Sequence, residues 1–138
     1  MYLRKDQGIG RAAALALAKN GITRLVLTDR NPSSLNTVSQ EIKSLASQLP
    51  TKNQNIEIEQ ITLDVSDTEA VERSFERAKK TFGRIDVAVN VAGIGGNGEP
   101  TDRMSEENWG SVLDVNLSGV WRCQRAEIRG MLGQECVF

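Results

Sequence analysis

Hydrophobic and polar positions along the chain fall into two patterns that take turns. Ile9, Ala12, Ala13, Ala16 and Leu17 recur at helical spacing and Gly21 follows as a stop, so a helix is predicted over 9–20. "RLVLTD" (24–29) is a short, almost wholly apolar run ending in a charge, which suits a strand buried on both faces. Asn31 then stands as an N-cap with Pro32 at the first helical position. Leu35, Val38, Ile42, Leu45 and Leu49 follow at helical spacing, and Pro50 ends that helix. "TKNQN" (51–55) is a polar loop. "IEIEQITLDV" (56–65) begins with strict alternation and ends apolar, the pattern of a strand nearer the sheet edge. "SDTE" (66–69) matches a capping box, with Ser66 as cap and Glu69 reaching back. Its helix runs through Val71, Phe75, Ala78 and Phe82 to Gly83. "IDVAVNVAG" (85–93) reads as a further buried strand, and 94–104 as a loop. Ser105 is placed to cap a last helix carrying Trp109, Val112, Leu113, Leu117 and Val120.

Alternating helices and apolar strands imply an α/β fold with a parallel sheet covered on both faces. The 138 residues suit one domain, 1–138, with no internal repeat. Ligands of such sheets sit beyond the C-terminal ends of the strands. That rule directs attention to 8–10, Asp29, 64–65 and 90–93.

Composition narrows the choice of partner. The net charge is −1, which argues against nucleic acid and anionic membranes. The longest purely apolar run, 12–18, is too short to span a bilayer. Residues 1–5 have no apolar stretch of the kind a secretory signal needs. The chain has no histidine and its two cysteines, Cys123 and Cys136, form no CxxC motif, so no zinc site and no Ser-His or Cys-His nucleophile is expected. Reduced thiols in a cytoplasmic protein are the expectation, although the spacing leaves a disulfide open.

The candidate residues each have a chemical rationale and a plainer alternative. Gly8 and Gly10 permit a tight turn, and the N–H groups of a helix starting near Ile9 would face an anion. An ordinary loop-to-helix junction is the alternative. Asp29 lies 19 residues after Gly10 at a strand end, where a carboxylate can accept from both hydroxyls of a ribose. It would repel a 2′-phosphate, which favours NAD over NADP, although the neighbouring Arg30 could hold such a phosphate. The alternative is that Asp29 or Asn31 only starts the turn before Pro32. Asp64 could accept from an adenine amino group while the Val65 N–H donates to the ring, or it could simply be an acid near the Ser66 cap. Asn90 is a polar residue in an apolar strand and should tie adjacent strands together. Ala92 and Gly93 offer a platform bare enough for a ligand ring, or a generic strand end. Asn116 sits inside a helix, where asparagine is disfavoured; it could bend that helix, hold water near a cleft, or be silent on the surface.

Jointly, "GIGRAAALALAKNG", "LTDR", "TLDVSD", "IDVAVNVAG" and "VLDVNLSGVWRC" resemble the short-chain dehydrogenase/reductase family, particularly members similar to 3-oxoacyl-carrier-protein reductases. The resemblance runs from about Gly8 to Met131. It implies a Rossmann-type doubly wound parallel sheet, a nicotinamide dinucleotide, and a small alcohol or carbonyl substrate. It also implies roles. Gly8, Ile9 and Gly10 would form the later part of the dinucleotide turn. Asp29 would hold the ribose, with Asp64 and Val65 on the adenine. Asn90, Ala92 and Gly93 would match the Asn-Asn-Ala-Gly segment, with Val91 in place of its second asparagine. Asn116 would match the family's catalytic asparagine.

Departures from the pattern set a second group of expectations. Arg4 stands where the family has its first turn glycine, and Leu3 where it has threonine. The strand before the turn is reduced to residues 1–2, so two strand edges should be left unpaired. The only tyrosine is Tyr2, with Lys5 three residues on, and no lysine follows Lys80. The family's serine and its Tyr-xxx-Lys pair therefore have no counterpart. The expectation is a Rossmann-type unit lacking its first strand and its C-terminal half, which binds dinucleotide in an intact parent and does not turn over by itself. A non-catalytic nucleotide-binding module that pairs with a full-length relative is the alternative. A methyltransferase-like α/β binder is disfavoured by "NVAG" and "DVN" together.

Overall fold

The computed structural model describes residues 8–48 and 55–135. Expectations for residues 1–7, Leu49, Pro50, 51–54 and Cys136 lie outside them. Helix α1 (Ile9–Lys19) leads into strand β1 (Arg24–Asp29), and α2 (Pro32–Ala46) follows. Strand β2 (Glu57–Thr62) and α3 (Thr68–Phe82) come next. After a long irregular stretch, α4 (Glu106–Leu113) continues through a π-helical segment (Asp114–Gly119) into α5 (Val120–Leu132).

β1 and β2 pair in parallel, with Arg24 opposite Glu57 and Asp29 opposite Thr62. The predicted bounds of β1 are those observed. Alternation along β1 sends Leu25 and Leu27 to one face, where they pack with Ala14 and Ala18 of α1 and Leu35, Val38 and Ile42 of α2. A second core gathers Leu63, Val65, Val71 and Phe75 with Cys123 and Ala126 of α5. Gly119 permits that approach, because a Cβ there would lie 2.7 Å from Val65 Cγ2.

Helix starts follow from local hydrogen bonding. The Asn31 side chain accepts from the Ser33 N–H at 3.0 Å, with Pro32 in the first turn as predicted. Ser105 caps α4 by accepting from the Asn108 N–H. The predicted Ser66 cap of α3 is replaced by Asp67, which accepts from the Ala70 N–H at 2.9 Å. The reason is that Ser66 is already engaged: its N–H and its hydroxyl both donate to Asp64 Oδ1. Glu69, freed from a capping box, pairs with Arg73 one turn on.

The predicted strand over 85–93 forms no ladder among the described residues. A cleft of about 700 Å³ separates it from β1, lined by Val26 on one side and Val87 and Val89 on the other. Two amide side chains grip the segment instead. Gln134 accepts from the Ile85 N–H at 2.8 Å and donates to the Ile85 carbonyl at 2.9 Å. Asn116 does the same to Ile94, at 2.8 and 2.9 Å. Among the described residues no helix is long and apolar enough to cross a membrane.

Candidate functional site

Gly8 is the N-cap of α1, and among the described residues no side chain caps that end. The first turn carries no acidic residue, so its exposed N–H groups and the helix dipole are left to face an anion. Ile9 is exposed and Gly10 is buried, as close packing of the turn against the protein requires.

Asp29 ends β1 and is only 5% exposed. Its Oδ1 accepts from the Asn31 N–H at 2.8 Å, so the plainer role of starting the turn is also real. Its Oδ2 is buried and has no hydrogen-bond partner among the described residues. Burial raises the Asp29 pKa, against the smaller opposing effects of the Asn31 N–H and of Arg30. A buried carboxylate oxygen with nothing to accept is costly unless a donor arrives from outside. Two vicinal hydroxyls of a ribose are donors of the right kind, so the residues present fit a dinucleotide.

Asp64 follows β2, which lies beside β1: the Leu63 N–H donates to the Asp29 carbonyl at 2.9 Å. The Ser66 hydroxyl and N–H lower the Asp64 pKa, and Arg30 and Arg122 lower it further. Arg30 therefore acts on both acids, Asp29 and Asp64. Asp64 Oδ1 is committed to its local turn, which is the plainer role foreseen for it. Val65 is buried, and its carbonyl accepts from Arg122 at 3.2 Å.

The remaining candidates gather on the other side of the site. Among the described residues Asn90 bonds to a helix and not to a strand: its Nδ2 donates to Glu127 Oε2 of α5 at 2.9 Å. Ala92 and Gly93 are half-buried, and a Cβ on Gly93 would meet Asn116 Oδ1 at 3.4 Å. Asn116 lies in the π-helical segment, and both ends of its amide are occupied by Ile94. It holds the 92–94 platform against the helix.

The structure thus brings together Asp29, Arg30, Asp64 and Val65 at two strand ends, and Gly93, Ile94 and Asn116 beside the helix. Arg122 joins these halves. Its guanidinium donates to the Val65 carbonyl, to the Asp114 carbonyl and to Asp114 Oδ1 at 2.6 Å. Sequence reasoning missed this residue. The available signal was an acid and an arginine eight positions apart, which share a helix face. Among the described residues no cluster of acids or cysteines could hold a metal ion.

Comparison with known proteins agrees with this geometry. A family model described as short chain dehydrogenase matches residues 4–136. The oxidoreductase UcpA of Salmonella typhimurium is 36% identical over 127 residues, which cover 92% of this chain and 44% of that protein. The 3-oxoacyl-[acyl-carrier-protein] reductase FabG of Thermotoga maritima is 33% identical, over 92% of this chain and 47% of its own length. An alcohol dehydrogenase from the archaeon Thermococcus sibiricus, solved with 5-hydroxy-NADP, superposes with a TM-score of 0.76 at 34% identity. That match covers 89% of this chain and 48% of the other. NAD+-bound xylitol dehydrogenase gives a TM-score of 0.79 at 28% identity, over 90% and 44%. The chain therefore spans less than half the length of these relatives. With its parallel α/β sheet and NAD(P)-type Rossmann architecture, the chain belongs to the short-chain dehydrogenase family of oxidoreductases.

Proposed function

We propose that this chain is the cofactor-binding part of an NAD(P)-dependent oxidoreductase acting on an alcohol or carbonyl, and that it does not turn over alone. The buried Oδ2 of Asp29, without a hydrogen-bond partner among the described residues, is the observation that carries this reading. Gly8, Ile9 and Gly10 would receive the pyrophosphate on the α1 N-terminus. Asp29 would accept from the ribose hydroxyls, and Asp64 and Val65 would border the adenine. Ala92 and Gly93 would underlie the second ribose, with Asn90 and Asn116 fixing the strand that carries them. When bound, the cofactor supplies or accepts a hydride. Proton transfer at the substrate needs a donor beside a cation. The chain's only tyrosine is Tyr2 and no lysine follows Lys80, so no such pair is evident.

NAD is the preferred cofactor, because a carboxylate at the end of β1 repels a 2′-phosphate. Relatives solved with NADP-type and NAD ligands frame the choice without deciding it. Calorimetric titration of the 138-residue chain with each nucleotide tests the proposal. Saturable NAD binding, tighter than NADP, with no nucleotide reduction on adding alcohols is expected. Absence of binding, or turnover, contradicts it.

A second reading, a non-catalytic module that pairs with a full-length relative, is favoured by one surface. Trp109, Leu117, Trp121, Ile128 and Leu132 all stand exposed along α4, the π-helical segment and α5. Co-sedimentation with a full-length relative, lost on Leu117→Glu, would support it.

A further inference from the structure

We propose that Arg122 is a positioning residue that sets base selectivity at the strand ends: through the peptide joining Val65 to Ser66 it aims Asp64 at the amino group of an adenine. The proposal rests on the dinucleotide reading above and adds what enforces the choice of base.

A close approach makes the contact possible. Gly119 packs on Val65, where a Cβ would lie 2.7 Å from Val65 Cγ2. One helical turn on, Arg122 Nη1 reaches back and donates to the Val65 carbonyl at 3.2 Å. The same peptide group carries the Ser66 N–H, which donates to Asp64 Oδ1 at 2.9 Å. Arg122, one peptide and Asp64 therefore form a single hydrogen-bonded chain, in which each bond polarises the next. The guanidinium is itself held. Nη1 also donates to the Asp114 carbonyl at 3.3 Å, and Nη2 donates to Asp114 Oδ1 at 2.6 Å. Its side chain is only 16% exposed, so packing restrains it as well.

The far end of the chain is open to a ligand. Both Ser66 bonds fall on Asp64 Oδ1, and among the described residues none falls on Oδ2. Asp64 is exposed, so Oδ2 can take a donor from outside. The Ser66 bonds lower the Asp64 pKa against an opposing effect of burial, and the Arg30 and Arg122 charges lower it further. An ionised carboxylate only accepts. Adenine offers an amino donor on its six-membered ring, whereas hypoxanthine offers a carbonyl oxygen there, which a carboxylate repels. Asp64 makes that distinction only while the 65–66 peptide stays in place, and Arg122 is what keeps it there.

Calorimetric titration of the full chain with NAD and with nicotinamide hypoxanthine dinucleotide tests the assignment. The original chain should bind NAD at least about tenfold more tightly. Arg122→Gln should bring the two affinities within about threefold of each other, chiefly by weakening NAD. Arg122→Lys keeps the charge and loses the fork, and should fall between. A brace that served only the fold would weaken both nucleotides alike and leave their ratio unmoved. A second readout needs no nucleotide. The Asp64 carboxyl, titrated by carbon NMR, should move up toward the ordinary aspartate value in Arg122→Gln. Absence of saturable binding of either nucleotide by the original chain overturns the dinucleotide reading, and the base selectivity falls with it. Three other results overturn the role of Arg122 and leave that reading standing: NAD binding with no preference over the hypoxanthine form, a preference that survives both Arg122 variants, or an equal loss of both affinities. An Asp64 titration unmoved by Arg122→Gln also overturns that role.

Discussion

Two regions of this molecule hold extended backbone in different ways. β1 is fixed by a ladder to β2 and by a core of fully buried side chains, Leu27, Leu35 and Ile42 among them. Segment 85–94 is equally apolar in sequence, yet two side-chain amides hold its ends, Gln134 at Ile85 and Asn116 at Ile94. Each amide offers one donor and one acceptor, as a peptide group does, and so substitutes for one rung of a neighbouring strand. A ladder and packed core distribute stability over many residues. Two amide clamps concentrate it in two. The proposed dinucleotide site would draw on both regions, with Asp29 on the laddered side and Gly93 on the clamped side.

Substitutions should separate the two regimes. Leu27→Ala removes a fully buried side chain beneath the ladder and should cost about 2–5 kcal/mol in urea unfolding. Gln134→Ala strands the partly buried N–H and C=O of Ile85 and should cost about 1–2 kcal/mol. Hydrogen exchange should show that loss confined to the segment, with β1 amides unmoved. If Gln134→Ala lowers protection in β1 and at Ile85 equally, the two regions are one cooperative unit and the contrast fails. A finer test lies at the start of α3. Asp67→Ala should cost about 1 kcal/mol as a lost cap, and Ser66→Ala less than about 0.5 kcal/mol. Equal costs would restore Ser66 as a partner in capping.

Much of the laddered region was readable in the chain. β1, the Asn31 cap and Pro32 follow from local chemistry, because the groups concerned interact within a few residues. Asp29 and the 8–10 turn could be picked out for the same reason: strand ends and helix starts carry local marks. The misses concern competition between neighbours and contacts distant in the chain. Ser66 has the chemistry of a cap, but Asp64 claims its hydroxyl and N–H first. "IDVAVNVAG" has the composition of a strand, but composition cannot supply a neighbour. Gln134 lies 49 positions from Ile85, and nothing local marks it as the clamp. Asn116 could be noticed as an odd helix residue, yet the π-helical segment that presents it to Ile94 has no signal of its own.

The two acids respond to pH in opposite directions. The Asp29 pKa is raised in the fold, so its contribution to stability is complete below the ordinary aspartate range and is lost as pH rises through the raised value. The Asp64 pKa is lowered, so its contribution is present above the ordinary range and is lost as pH falls through the lowered value. Asp29→Asn should therefore remove the loss of stability that sets in as pH rises above the ordinary aspartate range, and Asp64→Asn the loss that sets in as pH falls below it.

Asp29→Asn also tests the central claim, that a buried carboxylate without a partner is kept for a ligand. Thermal stability and NAD titration should be measured on the same samples of the original chain and of Asp29→Asn at neutral pH. The variant is predicted to be at least as stable as the original while binding NAD about 10–100-fold more weakly, as the loss of charge-assisted hydrogen bonds implies. A variant that loses stability and keeps its NAD affinity would show that Asp29 serves the fold alone.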